Sequence, residues 1–207
     1  MDHTLFWIAI IFLILVGQIY LLGRKMSEPQ KMLRITGGLS PYQQQMLSPY
    51  EDWLASVNLE FRYCHQFGNI QSALFQQRNE PRFFSFRFHQ RLTFNAESYL
   101  EDLTVLDTST SGSMGLFPRP GAFAQDFPNA SPQEVWQRHL VAEAFLTKKF
   151  GFVWAPLKQP YEQILLEAVR LRMKYNRSQT LWPLRVLYRY FTTRYLLRNR
   201  SIEQQLS

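Results

Sequence analysis

The stretch Arg82-Phe83-Phe84-Ser85-Phe86-Arg87-Phe88-His89 decides the fold class. Phe84, Phe86 and Phe88 fall on one side of an extended chain, and Ser85, Arg87 and His89 on the other. That is the period-two pattern of a strand with one face against a core. Working outward, Leu59, Phe61, Tyr63, His65 and Phe67 alternate with Glu60, Arg62, Cys64 and Gln66. After Gly68-Asn69, Ile70 to Gln77 reads as a second strand, and Arg78-Asn79-Glu80-Pro81 makes the turn into Arg82. Arg91 to Asn95 and Leu103 to Thr108 are weaker strands. Short turns between alternating segments argue for an antiparallel sheet over residues 59–108, packed on one face.

Helices flank this sheet, and three of their starts share one grammar. Ser40-Pro41-Tyr42-Gln43, Ser48-Pro49-Tyr50-Glu51 and Ser131-Pro132-Gln133-Glu134 each offer Ser at the N-cap, Pro at the first helical position and Gln or Glu at the third. This is the capping-box pattern, in which two otherwise unsatisfied amides are met reciprocally. The second start opens a short helix to about Ser56. The third opens a helix to about Phe150, with Val135, Trp136, Leu140, Val141 and Ala144 expected inward and Gly151 as the stop. Tyr161 to Tyr175 is another amphipathic helix, and a last one runs from Trp182 to about Arg198. Between sheet and helices, residues 109–130 are rich in Ser, Thr, Gly and Pro, so no regular structure is expected there. The Ser/Thr/Gly part lacks a P-loop's Gly spacing and Lys, and Phe117-Pro118-Arg119-Pro120 reads as a rigid cover over the sheet.

The N-terminal run LFWIAIIFLILVGQIYLL, Leu5 to Leu22, carries no charge. Eighteen residues at about 1.5 Å each give a helix close to the bilayer hydrocarbon thickness. Trp7 and Tyr20 sit near its ends, where amphipathic aromatics favour the headgroup level. A cleaved signal peptide would begin with basic residues and end in a small-residue site, and neither is present. The run therefore predicts an uncleaved anchor over residues 1–25, a stalk over 26–39 and one α+β domain over 40–207. Arg24, Lys25, Lys31 and Arg34 follow the run, which places the domain on the cytoplasmic side.

Composition bounds the domain further. Hydrophobic residues make up 46 % of the chain and charged residues 19 %, a balance that excludes a disordered tail. The net charge is +7 and is concentrated: residues 170–200 hold nine Lys or Arg and no Asp or Glu. Within the last helix, Arg185, Arg189, Arg194 and Arg198 recur near helical spacing, while Leu184, Leu187, Phe191 and Tyr195 form much of another face. A basic, aromatic helix suits an anionic membrane surface or a partner groove, and an ordinary solvated helix is the plainer reading. No nucleic-acid motif accompanies the arginines, so nucleic acid is not the expected partner.

Candidate catalytic chemistry rests on scattered residues. His139 and Glu143 stand at i, i+4, a spacing that serves one site or a plain surface pair. His65, His89 and Asp107 are the remaining candidates for an acid–base or metal site, which would lie in a pocket between sheet and helices. Cys64 has no family signature around it, and a buried thiol is expected. No complete metal-ligand or nucleophile set is present, so no cofactor is expected. The expectation is a membrane-anchored, non-enzymatic binding module for the lipid surface or a protein partner; the alternative is a membrane-anchored hydrolase or metal-dependent enzyme.

Overall fold

The computed structural model of the chain describes residues 7, 10, 13–21, 32–111, 119–155 and 158–207. Its centre is a seven-stranded mixed sheet in sequential order. The strands are β1 (Met32–Ile35), β2 (Leu59–Phe67), β3 (Ile70–Gln77), β4 (Arg82–Phe88), β5 (Leu92–Tyr99), β6 (Val105–Ser109) and β7 (Ala122–Asp126). The first six pair antiparallel, whereas β7 joins β6 in parallel. Residues 13–21 form a helix, α1. It is followed by α2 (Pro41–Leu47), a 3₁₀ turn (Ser48–Tyr50), α3 (Glu51–Ser56), α4 (Pro132–Phe150) and α5 (Tyr161–Arg177). The chain ends in α6 (Trp182–Tyr188), a π-helical turn (Arg189–Thr193), α7 (Arg194–Leu196) and α8 (Ile202–Leu206).

The α+β class expected from the alternation holds, with three corrections. First, both faces of the sheet are covered. One carries Phe84, Phe86, Phe94 and Ala96 beneath Leu54 of α3 and Val135 and Trp136 of α4. The other carries Leu74, Phe83, Tyr99 and Val105 beneath Tyr161, Ile164 and Ala168 of α5. Second, the sheet is not wholly antiparallel, because β7 lies inside the stretch expected to be irregular. Its short Ala-Phe-Ala-Gln-Asp pattern is stabilised by pairing with β6, a non-local contact that local composition does not encode. Third, β1 forms the opposite edge strand, within residues 26–39 where a stalk was expected.

A bulge breaks the apparent single face of β2. Phe61 pairs with Phe75, but Tyr63 pairs with Leu74, so the phase slips by one at Arg62. Leu59 and Phe61 therefore share a face with buried Cys64, while Tyr63 and His65 turn to the α5 side. The Cys64 thiol is fully buried, and burial pushes its pKa up.

Two of the three capping boxes form as read. Ser40 accepts from Gln43 N–H while Gln43 Oε1 accepts from Ser40 N–H, and Ser131 and Glu134 do the same. Ser48 instead donates to Gln45 O inside a continuing helical turn, since α2 runs into the 3₁₀ segment without an extended residue. A further box, Ser201 with Gln204, opens α8. Helix α4 ends at Gly151 in the left-handed region, as expected. Its buried stripe is Val135, Trp136, His139, Ala142, Glu143 and Leu146, so Val141 and Ala144 face outward.

No helix among the described residues is long and apolar enough to cross a membrane. Leu5, Leu22 and the basic residues Arg24, Lys25 and Lys31 lie outside the described residues, as does the Phe117-Pro118 part of the expected cover. Trp7 and Tyr20 are described and exposed, as are Leu13, Ile14, Leu15, Ile19 and Leu21.

Candidate functional site

The candidate catalytic residues do not converge. His139 and Glu143 project from α4 onto one face of the sheet, whereas His65 and Asp107 lie on the other, beneath α5. His89 stands exposed after β4.

On the α4 side, His139 and Glu143 are buried, not a surface pair. The Ser98 hydroxyl lies 2.8 Å from His139 Nε2 and donates to Glu143 Oε1, while Thr108 Oγ1 sits 3.0 Å from His139 Nδ1. Arg82 Nε donates to Glu143 Oε2 at 2.7 Å. Burial alone would raise the Glu143 carboxyl, but His139, Ser98 and Arg82 together hold it below the ordinary glutamate value. Serine, histidine and glutamate meet here without triad geometry. A triad needs the carboxylate on the ring nitrogen opposite the nucleophile. Here Ser98 and Glu143 share the Nε2 side, and Ser98 and His139 have no exposed surface. The cluster instead binds α4 to β4, β5 and β6 and satisfies every polar group that α4 buries at this point.

The α5 side carries a second polar layer. Glu97 and Asp107 are register partners on β5 and β6, so their side chains project together. Glu97 accepts from the Tyr99 hydroxyl at 2.7 Å, the Tyr161 hydroxyl at 2.8 Å and Asn95 Nδ2. Arg87 approaches it at 3.6 Å. Asp107 is fully buried, and neither of its carboxyl oxygens has a hydrogen-bond partner. Burial first, and then the charge of Glu97, push its pKa well above the ordinary value, against the opposing pull of Arg87 and Arg172. His65 is also buried, and desolvation with Arg87 nearby lowers it to about 4. This layer joins His65 and Asp107 on one face and adds Glu97, Arg87 and Tyr161. Glu97 follows Thr93 and Asn95 at period two along β5, a spacing visible in the sequence.

The exposed chemistry lies at the C-terminal segment. Leu181 takes a left-handed backbone conformation just before α6 and leaves its side chain 62 % exposed. Tyr188, Phe191 and Tyr195 recur at spacings of three and four and are each more than 60 % exposed, as is Leu196. Arg185 and Arg198 are exposed beside them and Arg189 is half-buried. Arg194 lies in α7, and the expectation for its side chain falls outside what is described. The expected single helix over residues 182–198 is broken by the π-helical turn at Arg189–Thr193, a local widening that often marks functional segments. Between the end of α5 and α6 lies a cavity of about 260 Å³ lined by Asn176, Trp182, Arg185, Tyr188 and Arg189. Asn176 is buried and its Nδ2 has no partner. Arg185 donates to Gln179 Oε1 at 3.0 Å across its rim.

No known family model, curated protein or solved structure matches the chain. The fold and its surface define an α+β sheet domain, closed on both faces, with a cationic, aromatic C-terminal face. Among the described residues no group of three or more His, Cys, Asp or Glu side chains is placed to hold a metal ion.

Proposed function

We propose that the protein is a membrane-associated binding module whose C-terminal segment contacts an anionic lipid surface. One observation carries this reading: Leu181, Tyr188, Phe191, Tyr195 and Leu196 are exposed together beside Arg185, Arg189 and Arg198. Folding gives no reason to leave so many large apolar side chains in water, whereas a bilayer interface accepts the aromatics and its anionic lipids attract the arginines. Each cation near such a surface contributes about 1 kcal/mol. The apolar run Leu5 to Leu22 anchors the same chain, with the basic flank from Arg24 onward holding the domain on the cytoplasmic side. Tethering raises the effective concentration of the surface, so a modest intrinsic affinity suffices.

The test is hydrogen exchange of the full chain reconstituted into vesicles, with and without anionic lipid. Amides of residues 181–198 gain protection only with anionic lipid, and lose it when ionic strength rises to about 0.5 M, where screening lengths fall to a few Å. Equal exchange in both vesicles removes the lipid reading and leaves this face to a protein partner. Resistance of the full chain to alkaline extraction tests the anchor separately.

A further inference from the structure

The cavity between the end of α5 and α6 is lined by two cations that the fold leaves without counter-ions. Arg185 and Arg189 stand four residues apart, and the Arg189 amide donates to Arg185 O, so one helical turn sets both side chains on the same face. Arg185 is exposed, and its guanidinium has one partner, the neutral Gln179 Oε1 at 3.0 Å. Arg189 is half-buried, and its side chain makes no hydrogen bond, ion pair or ring contact among the described residues. No carboxylate lines the cavity, and residues 168–202 contain no Asp or Glu.

The arrangement is unfavourable as it stands. Like charges at this helical spacing repel, and a partly buried guanidinium without a partner gives up hydration that nothing replaces. An anion in the cavity reverses both effects. Tyr175, Trp182 and Tyr188 add aromatic walls beside the two guanidinium groups, and such low-dielectric surroundings strengthen charge pairing relative to open water. The volume, about 260 Å³, lies just below the usual range for drug-sized ligands, so it suits a small headgroup.

We propose that this cavity binds a phosphate monoester through Arg185 and Arg189, the group being presented by a lipid headgroup such as that of phosphatidic acid. A phosphate monoester carries a charge of about −1.5 to −2 near neutral pH and three strong acceptor oxygens, enough to meet both guanidinium groups at once. A carboxylate or a phosphodiester brings a single charge and leaves one cation unmatched. Leu181 and Phe191, which flank the lining residues in the chain, are both more than 60 % exposed. Inserted at a bilayer interface, they hold the cavity at headgroup level. The lipid source rests on the surface contact proposed above, whereas the choice of phosphate follows from the cavity itself.

The experiment is hydrogen exchange of the full chain in phosphatidylcholine vesicles that contain either phosphatidic acid or phosphatidylserine, matched in surface charge by electrophoretic mobility. Amides of residues 175–189 are expected to reach half-protection at about tenfold less phosphatidic acid than phosphatidylserine, the factor that one charged hydrogen-bonding partner supplies. Arg189→Gln abolishes this preference, and Arg185→Gln, at an exposed position, gives a second variant should the first fail to fold. Arg198→Gln removes the same charge outside the cavity and weakens protection by both lipids alike. Glycerol 3-phosphate added to neutral vesicles distinguishes the sources: protection there shows that the cavity also takes the group from solution, and protection by phosphatidic acid alone assigns it to the lipid. Equal protection by the two anionic lipids, or a preference that survives Arg189→Gln in a folded variant, overturns the proposal and leaves the surface contact standing. Protection by glycerol 3-phosphate with none by either lipid overturns the surface contact and keeps the phosphate site. Protection by none of the three overturns both.

Discussion

At the residue scale, two buried titratable groups on one sheet face set opposite limbs of the pH–stability curve. Burial and the charge of Glu97 hold the Asp107 carboxyl well above its ordinary value of 3.8 in the fold, so it releases its proton more readily when the chain unfolds. The folded state then binds more protons than the unfolded state, so stability falls as pH rises. The loss is about 1.4 kcal/mol per pH unit until the folded pKa is reached. His65 acts the other way. Its pKa drops from 6.5 to about 4, so the unfolded chain binds the proton first and stability is lost as pH falls through this window. The full loss is about 3 kcal/mol. We expect Asp107→Asn to flatten the limb above pH 5 and to raise the denaturation midpoint at pH 8. His65→Gln should flatten the limb between pH 6.5 and 4 and leave the other untouched. Urea unfolding across pH 4–9 for the parent and both variants reads the two limbs separately. Neither shift was legible in the sequence, because nothing local says that Asp107 will be buried beside Glu97 or that His65 will be buried near Arg87.

Helix α4 presents the clearest case at the element scale. Its start and stop were both legible: Ser131 accepts from Glu134 N–H at 3.2 Å, and Gly151 adopts φ 72° with open space where a Cβ would stand. Ser131→Ala therefore costs about 1 kcal/mol through the lost cap. Gly151→Ala costs a similar amount, of order 1 kcal/mol, through backbone conformation alone. The two sites lie at opposite ends of a 19-residue helix, so their costs should add in thermal or urea unfolding. The buried stripe was less legible. A stripe defined by hydrophobicity brings in Val141 and Ala144. The fold instead buries His139 and Glu143, whose polar atoms find Ser98, Thr108 and Arg82 on neighbouring strands. Strand β2 shows the same limit. Its alternation is sound at either end, but the bulge at Arg62 that exchanges its faces is a property of pairing with β3.

For the whole molecule, the sheet is shared by covers on both sides. Phe84 packs edge-on against Trp53 of α3 and Trp136 of α4, while adjacent Phe83 packs against Tyr161 of α5. Neither cover can detach without exposing strands that the other needs. The domain is therefore expected to unfold in one transition, with far-UV circular dichroism and tryptophan fluorescence superimposing across the denaturant range. Two separated transitions would show that α5 and α4 are held independently. The Tyr161 hydroxyl bond to Glu97 at 2.8 Å ties α5 to the same strand, β5, that α4 holds through Ser98.

The sequence by itself determined the α+β class, the central strands, the ends of α4, the burial of Cys64 and the concentration of cations near the C-terminus. All of these follow from periods, caps and composition, which act within a few residues along the chain. Only the tertiary structure decided that both sheet faces are covered, that β1 and β7 complete the sheet and that β7 runs parallel. It also separated His139 and Glu143 from His65 and Asp107, because partners more than thirty residues apart choose which face each strand presents.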